Sequence, residues 1–583
     1  MKVIMSVASG TVWNVMLLAT SLVCSSTMRP FPVELGIRRV SSDLNICGSL
    51  TLPTMNSTMM PFQKVPSEIS TLTRLASLDI SNKSGTTLSL ELPSLKFLVQ
   101  NLTGLRELYL DDVNVTSLHE RKNWGHIISS HLPKLTSLSL VGCSLDAPLP
   151  KSFLQLHSLS ILRLDRNNLS AVALHDLFTN FPSLTTLTLG KCKLKGSIPS
   201  TFASLTKLIR VDLSYNNLNG SLPSALFEGL SNLVHLNLLG NSFSGNIPQS
   251  IFALPSLLEL SLSYNKFNGT FQLDDFQSLP NLTWLDLSGN SLSVDVGNVD
   301  SSSHGRLKLK GLGLGSCNLS NFPDFVKHLD LETLDLSNNS IAGEIPSWIW
   351  GTKLSQLFLA NNNLSGSVPT SICNATRLYN LELSRNNLSG TIPTCLCNAT
   401  QFVWLRLSGN KLSGSLPACL LIYMKGIDLS RNNISGSIPL SPSKGLQRED
   451  RKVPKSFGRL SSLESLDLSV NQLAGPIPEE LGRLTFLSKL NLSFNKFVGA
   501  IPKGRQMQTF SSDSFEGNSG LCGFPLNISC NHTNAPPPGY DEEENEIEWE
   551  YVCAALGYVV GFGSIVWLLL FCRSLFVLCK RMK

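Results

Sequence analysis

The expected fold class is an α/β solenoid lined on its concave side by a parallel β-sheet, with one transmembrane helix near the C-terminus. Three observations predict it. A leucine frame recurs at intervals of 22 to 25 residues, an asparagine returns at one place in that frame, and a late apolar run separates an acidic flank from a basic one.

The frame is plainest in LTKLIRVDLSYNNLNGSLP from Leu205, LSNLVHLNLLGNSFSGNIP from Leu230, LSSLESLDLSVNQLAGPIP from Leu460 and LTFLSKLNLSFNKFVGAIP from Leu484. These share LxxLxxLxLxxNxLxGxIP, and about 17 copies are countable from Leu72 onward. In a strand, alternate side chains take opposite faces, so the LxL pair points inward and its neighbours outward. A single copy cannot bury its leucines, whereas stacked copies share one core. That is the pattern of a leucine-rich-repeat solenoid.

The recurring asparagines are Asn167, Asn216, Asn241, Asn265, Asn290, Asn339, Asn362, Asn386, Asn410, Asn432, Asn471 and Asn495. A buried amide must have its donors and acceptor met, so each is expected to bond to the backbone of neighbouring coils. Cys143, Cys192 and Cys317 share the register and read as small buried substitutes. The repeated CNAT at Cys373 and Cys397, and Cys395 with Cys419, repeat at 24 residues. Neighbouring coils bring such pairs within disulfide reach, and buried free thiols fit equally well.

A chain of 583 residues exceeds a single core, which suits a repeat array. The net charge of +5 is spread along the chain without a basic stripe, which is no argument for nucleic acid. The nine histidines show no ligand spacing, and G-x-S-x-G, H-E-x-x-H and phosphate-loop motifs are missing. GLGLGS at Gly311 imitates a phosphate loop, but Leu312 and Leu314 fall on the LxL register, so it reads as a strand with small outward residues. No enzyme, metal or cofactor is expected.

The G-x-I-P extension resembles the plant extracellular class of leucine-rich repeats. FNKFVGAIPKGRQMQTFSSDSFEGNSGLCGFPLNISC resembles the last repeat and C-terminal cap of plant receptor-like proteins. LVQNLTGLRELYLDDVNVTS and LESLDLSVNQLAGPIPEELGRLTFLSKLNLSFN resemble the subgroup typified by tomato Verticillium wilt resistance receptors. The resemblance implies a disulfide between Cys522 and Cys530 that closes the solenoid's end. It also implies a plasma-membrane receptor that pairs with an adaptor receptor-like kinase and a co-receptor kinase. Two departures stand out: no cysteine-paired first cap precedes Leu72, and where the family has an irregular island the chain has LSPSKGLQREDRKVPKSFGRL, read as a shortened island or a deletion junction.

Tyr551 to Cys572 carry no formal charge and as a helix would reach about 33 Å, enough for a hydrocarbon core. DEEENEIEWE precedes this run, while Arg573, Lys580, Arg581 and Lys583 follow it; the basic side is expected in the cytoplasm and the solenoid outside. Gly557 and Gly561 form a G-x-x-x-G face that lets another helix approach. Glycosylation sequons lie at Asn56, Asn82, Asn101, Asn114, Asn168, Asn219, Asn268, Asn281, Asn318, Asn338, Asn363, Asn374, Asn387, Asn398, Asn433, Asn491, Asn527 and Asn531, as a secreted segment would show.

The resulting organisation begins with a signal peptide at 1–26 and an irregular segment at 27–70. Repeats at 71–439, a shortened island or deletion junction at 440–459 and the final repeats at 460–505 follow. A cap at 506–535, an acidic spacer at 536–550, the membrane helix at 551–572 and a tail at 573–583 complete it. Eleven residues after the span leave no room for a kinase domain.

Ligand contact is expected on the concave face, where Phe358, Tyr379 and Trp404 come from three adjacent repeats, joined by Trp284, Glu382, Arg385 and Arg406. Aromatic and arginine side chains are the usual anchors of binding surfaces. The expected function is a cell-surface receptor-like protein that recognises an extracellular protein or peptide, pathogen-derived by the family resemblance. It would signal in defence through a recruited kinase. A developmental peptide co-receptor, an inhibitor or decoy, and a truncated non-functional form are the alternatives.

Overall fold

The computed structural model describes residues 67–82, 88–90, 94–146, 148–272, 278–295, 308–398, 402–417, 420–438 and 463–530, and the backbone of short strands at 2–4, 23–24 and 49–51. Two compact units divide the chain, Met1–Ser529 and Cys530–Lys583, and Cys530 alone represents the second among the described residues.

Each copy of the frame forms a three-residue strand, beginning with Ser77–Asp79 and Glu107–Tyr109 and ending with Ser465–Asp467 and Lys489–Asn491. Successive strands pair in parallel with their central leucines in line: Leu236 faces Val211 and Leu260, and Leu381 faces Leu357 and Leu405. Among the described residues the sheet holds 20 strands, three of them at its N-terminal edge, which leaves 17, against the about 17 copies counted in the sequence. Val23–Cys24 runs antiparallel to Lys2–Ile4, which is parallel to Ser49–Thr51, and that strand pairs with Ser77–Asp79. The strand at 49–51 departs from the irregular segment expected over 27–70. The open edge of a parallel sheet offers unpaired N–H and C=O groups that even a short stretch can take up.

The central leucines are fully buried, as at Leu78, Leu108, Leu138, Leu162 and Leu187. The return path of each coil is a short helix such as Ser200–Ser204 or Thr370–Asn374. Pro199, Pro248, Pro369 and Pro478 stand immediately before such helices. Proline's fixed φ suits a helix start, where its missing N–H costs nothing, and this explains the proline that closes each frame. Edge-to-face pairs such as Phe178–Phe202 and Phe202–Phe227 link several of these return segments.

The asparagines do what their burial demands. The Asn216 amide donates to the carbonyls of Leu189 (2.8 Å) and Leu213 (2.9 Å), and its oxygen accepts from the N–H groups of Cys192 (3.0 Å) and Leu194 (2.9 Å). The Leu213 bond closes the turn of its own coil, and the other three join that coil to the one before it. Asn518 extends the ladder one turn beyond the last LxL copy, donating to Leu492 and Phe515 and accepting from Phe497. Cys143, Cys192 and Cys317 are buried free thiols, and the Sγ atoms of Cys143 and Cys192 each lie 3.1 Å from a carbonyl of the preceding coil. Burial pushes the Cys192 and Cys317 thiols up to about 12.

Candidate functional site

On the concave side each strand presents the residues flanking its central leucine, and the register aligns them in two rows. One row runs Trp284, Gly311, Thr333, Gln356, Asn380, Trp404 and Gly426. The other runs Asp286, Gly313, Asp335, Phe358, Glu382, Arg406 and Asp428. Beyond each strand the chain turns through a left-handed residue on the rim, such as Tyr215, Tyr264 or Arg385, with φ of 52°, 51° and 55°.

Phe358, Glu382 and Arg406 are successive members of the second row, and Trp404 stands beside Arg406 on the same strand. The Arg406 guanidinium is 3.5 Å from the Glu382 carboxylate and 5.2 Å from the Trp404 ring centroid, so its plane is held between an acid and an indole. Burial raises the Glu382 carboxyl above the ordinary range; Ser384 and Arg406 act against that shift. Tyr379 precedes the Asn380–Glu382 strand and is 37% exposed. Arg385 covers Gly409, with its Cγ 3.3 Å from where a Cβ would stand. These six residues come from three consecutive coils. Trp284 does not join them: the strands of Gly311 and Thr333 intervene, placing it about 14 Å from the Phe358 strand at the usual strand spacing.

The acids of the second row are engaged locally. Asp286, Asp335 and Asp428 accept the N–H of the serine two residues on at 3.0, 2.8 and 3.1 Å. Burial raises the Asp335 carboxyl, and repulsion from Asp286 adds to it.

Two glycines that the sequence reading passed over shape this face. A Cβ on Gly426 would stand 1.9 Å from Cζ3 of Trp404, and one on Gly311 would stand 2.1 Å from Cε3 of Trp284. The glycines of GLGLGS are accordingly buried beneath neighbouring side chains and not open outward positions. The available signal was a tryptophan one frame ahead of a glycine at the same position.

Behind the cluster, a disulfide joins Cys373 to Cys395, with Cα atoms 6.0 Å apart, between the helices Thr370–Asn374 and Thr394–Asn398. The partners are 22 residues apart, not the 24 of the repeated CNAT register. Cys522 and Cys530 are each disulfide-bonded. Among the sequons, Asn101, Asn114, Asn219, Asn268, Asn281, Asn318, Asn338, Asn363, Asn374, Asn433 and Asn527 are exposed, and Asn82, Asn168, Asn387 and Asn491 are half-buried. Asn56, Asn531, the side chain of Asn398, the island, the apolar run at 551–572 and Gly557 and Gly561 lie outside the described residues. Among the described residues no helix is long and apolar enough to cross a membrane, and no group of three or more side chains is placed to hold a metal.

Family models described as leucine rich repeat match residues 182–243, 239–292, 330–352, 353–375, 377–399 and 462–484, each of which carries one or more strands of the sheet. Leucine-rich repeats thus make up these stretches of the chain. Among curated proteins, short stretches of the chain are similar to plant receptor-like proteins. Receptor-like protein 41 of Arabidopsis thaliana is 45% identical over 60 residues, 10% of this chain and 7% of that one. Receptor like protein 22 of the same plant is 46% identical over 65 residues, 11% and 8% of the two chains. Cuscuta receptor 1 of Solanum lycopersicum is 40% identical over 65 residues, 10% and 6%. The matched segments span under a tenth of the length of these relatives. Among solved structures, the leucine-rich-repeat ectodomain of the Arabidopsis receptor kinase GASSHO1/SCHENGEN3 aligns over 83% of this chain and 63% of its own, with 29% identity and a TM-score of 0.49.

Proposed function

We propose that this leucine-rich-repeat protein is a plasma-membrane receptor-like protein of the Verticillium-resistance type. It takes an extracellular ligand, a pathogen-derived protein or peptide, on its concave face and signals in plant defence through a recruited receptor kinase. The observation that carries the reading is the cluster of Phe358, Tyr379, Glu382, Trp404 and Arg406 on consecutive coils, with the Arg406 plane already fixed by Glu382 and Trp404. An arginine ordered before binding loses less freedom when a ligand arrives. The helix at 551–572, with Gly557 and Gly561 as its packing face, is the proposed contact with the adaptor kinase. The Cys522–Cys530 bond and the sequon glycans complete the proposed extracellular unit.

The test is a F358A/Y379A/W404A triple variant of the full chain, expressed in plant cells and challenged with pathogen culture filtrates that trigger a defence output through the parent chain. Loss of the output at unchanged surface level is expected. An unchanged output removes the cluster from ligand binding, and absence of any filtrate response through the parent chain removes the defence reading.

A further inference from the structure

A second aromatic feature lies away from the ligand cluster, on the rim of the coils between residues 210 and 289. Four consecutive turns there carry Tyr215, Gly240, Tyr264 and Gly289, all in the left-handed region with φ of 52°, 68°, 51° and 68°. Each tyrosine ring lies over the glycine of the next coil. A Cβ on Gly240 would stand 3.0, 3.3 and 3.5 Å from Cδ1, Cε1 and Cγ of Tyr215. A Cβ on Gly289 would stand 2.9, 3.2 and 3.2 Å from the same three atoms of Tyr264. Both rings thus adopt one pose, repeated after two coils. Their backbones are pinned alike, Tyr215 N–H to the Leu239 carbonyl and Tyr264 N–H to the Ser288 carbonyl, each at 2.7 Å. The rings stay open to solvent, at 53% and 65% exposure.

We propose that this strip binds a neutral β-1,4-linked polysaccharide chain. A pyranose ring offers an apolar C–H face that stacks on a flat aromatic ring, with its hydroxyls directed outward. In a two-fold β-1,4 chain the same ring face returns at every second unit, a period that matches two strand spacings, about 10 Å. Gly240 between the tyrosines and Gly289 beyond them add no side chain to obstruct a straight chain. Charge matching points to an uncharged ligand. Neither the rings nor the glycines carry charge, and the carboxylates of Asp212, Asp286 and Asp335 are bonded to the N–H groups of Ser214, Ser288 and Ser337. The Lys191 ammonium, 4.8 Å from the Tyr215 centroid, ends the strip with a donor for sugar hydroxyls.

The experiment is calorimetric titration of the purified full chain with cellohexaose, chitohexaose and maltohexaose. Binding of at least one β-1,4 hexamer is expected, with no binding of the α-1,4-linked maltohexaose, whose curved chain lacks the flat period. Y215A and Y264A should each weaken binding about tenfold, and Y215F/Y264F should stay within about twofold, because the ring and not the hydroxyl does the stacking. F358A/W404A should bind as the parent does, which separates this site from the ligand cluster. Absence of binding to both β-1,4 hexamers, equal binding of maltohexaose, or unchanged affinity in Y215A/Y264A overturns the proposal.

Discussion

The indole of Trp404 lies across Gly426 on the next strand, so close that a single methyl on that glycine would stand 1.9 Å from the ring. The Trp284 ring sits on Gly311 in the same way. Neither glycine is in the left-handed region, so an alanine there tests contact and not backbone strain. G426A is expected to cost about 1–3 kcal/mol, the usual range for overpacking. The same change in a W404A background should cost near zero. A double-mutant cycle by thermal or urea unfolding measures the coupling, and equal costs in both backgrounds would refute the contact.

The asparagine ladder predicts a contrast between adjacent residues. N216A leaves the N–H groups of Cys192 and Leu194 and the carbonyl of Leu189 without their partner, and should destabilise the chain by roughly 1–3 kcal/mol or more. N217A, at an exposed position on the same turn, should fall within about 0.5 kcal/mol of the parent. Urea unfolding midpoints of the two variants decide it.

Cys143, Cys192 and Cys317 should resist alkylation at pH 8 in the folded chain, because only thiolate reacts and burial holds these thiols far above that pH. Iodoacetamide labelling read by peptide mass spectrometry should find them modified only after unfolding. Modification in the folded chain would count against their place in the core.

Asp165, Asp335 and Glu382 all have carboxyls raised by burial. A carboxyl raised in the folded state binds its proton at a higher pH than in the unfolded chain. Its contribution to stability is therefore complete at acid pH and is lost as pH rises through the folded value. Unfolding free energy should thus gain a negative slope with pH just above the ordinary carboxylate range. D335N should flatten that slope, since an asparagine oxygen can still accept the Ser337 N–H. An unchanged slope in D335N would show that Asp335 titrates normally.

The coil count, the inward leucines and the bonding of Asn167 or Asn216 were all legible in the sequence. Each follows from a period and from what one buried group requires, and the same frame repeats many times. Asn518 was missed because its turn follows no LxL pair and FEGNSGL places the next leucine three residues on, where the frame has two. The strand at 49–51 was missed because pairing at an open edge depends on the neighbour and not on the segment itself.

By itself the sequence determined that this chain stacks coils, which side chains face inward, and which positions are left to vary on the concave face. Only the tertiary structure decided which of those variable residues meet. It set Phe358, Glu382 and Arg406 in one row, left Trp284 three strands away, paired Cys373 with Cys395, and laid Tyr215 and Tyr264 over their glycines. The reason is physical. Inward residues obey a local alternation that each repeat carries within itself, whereas outward contacts depend on register between coils of unequal length and on how far each side chain leans toward its neighbour.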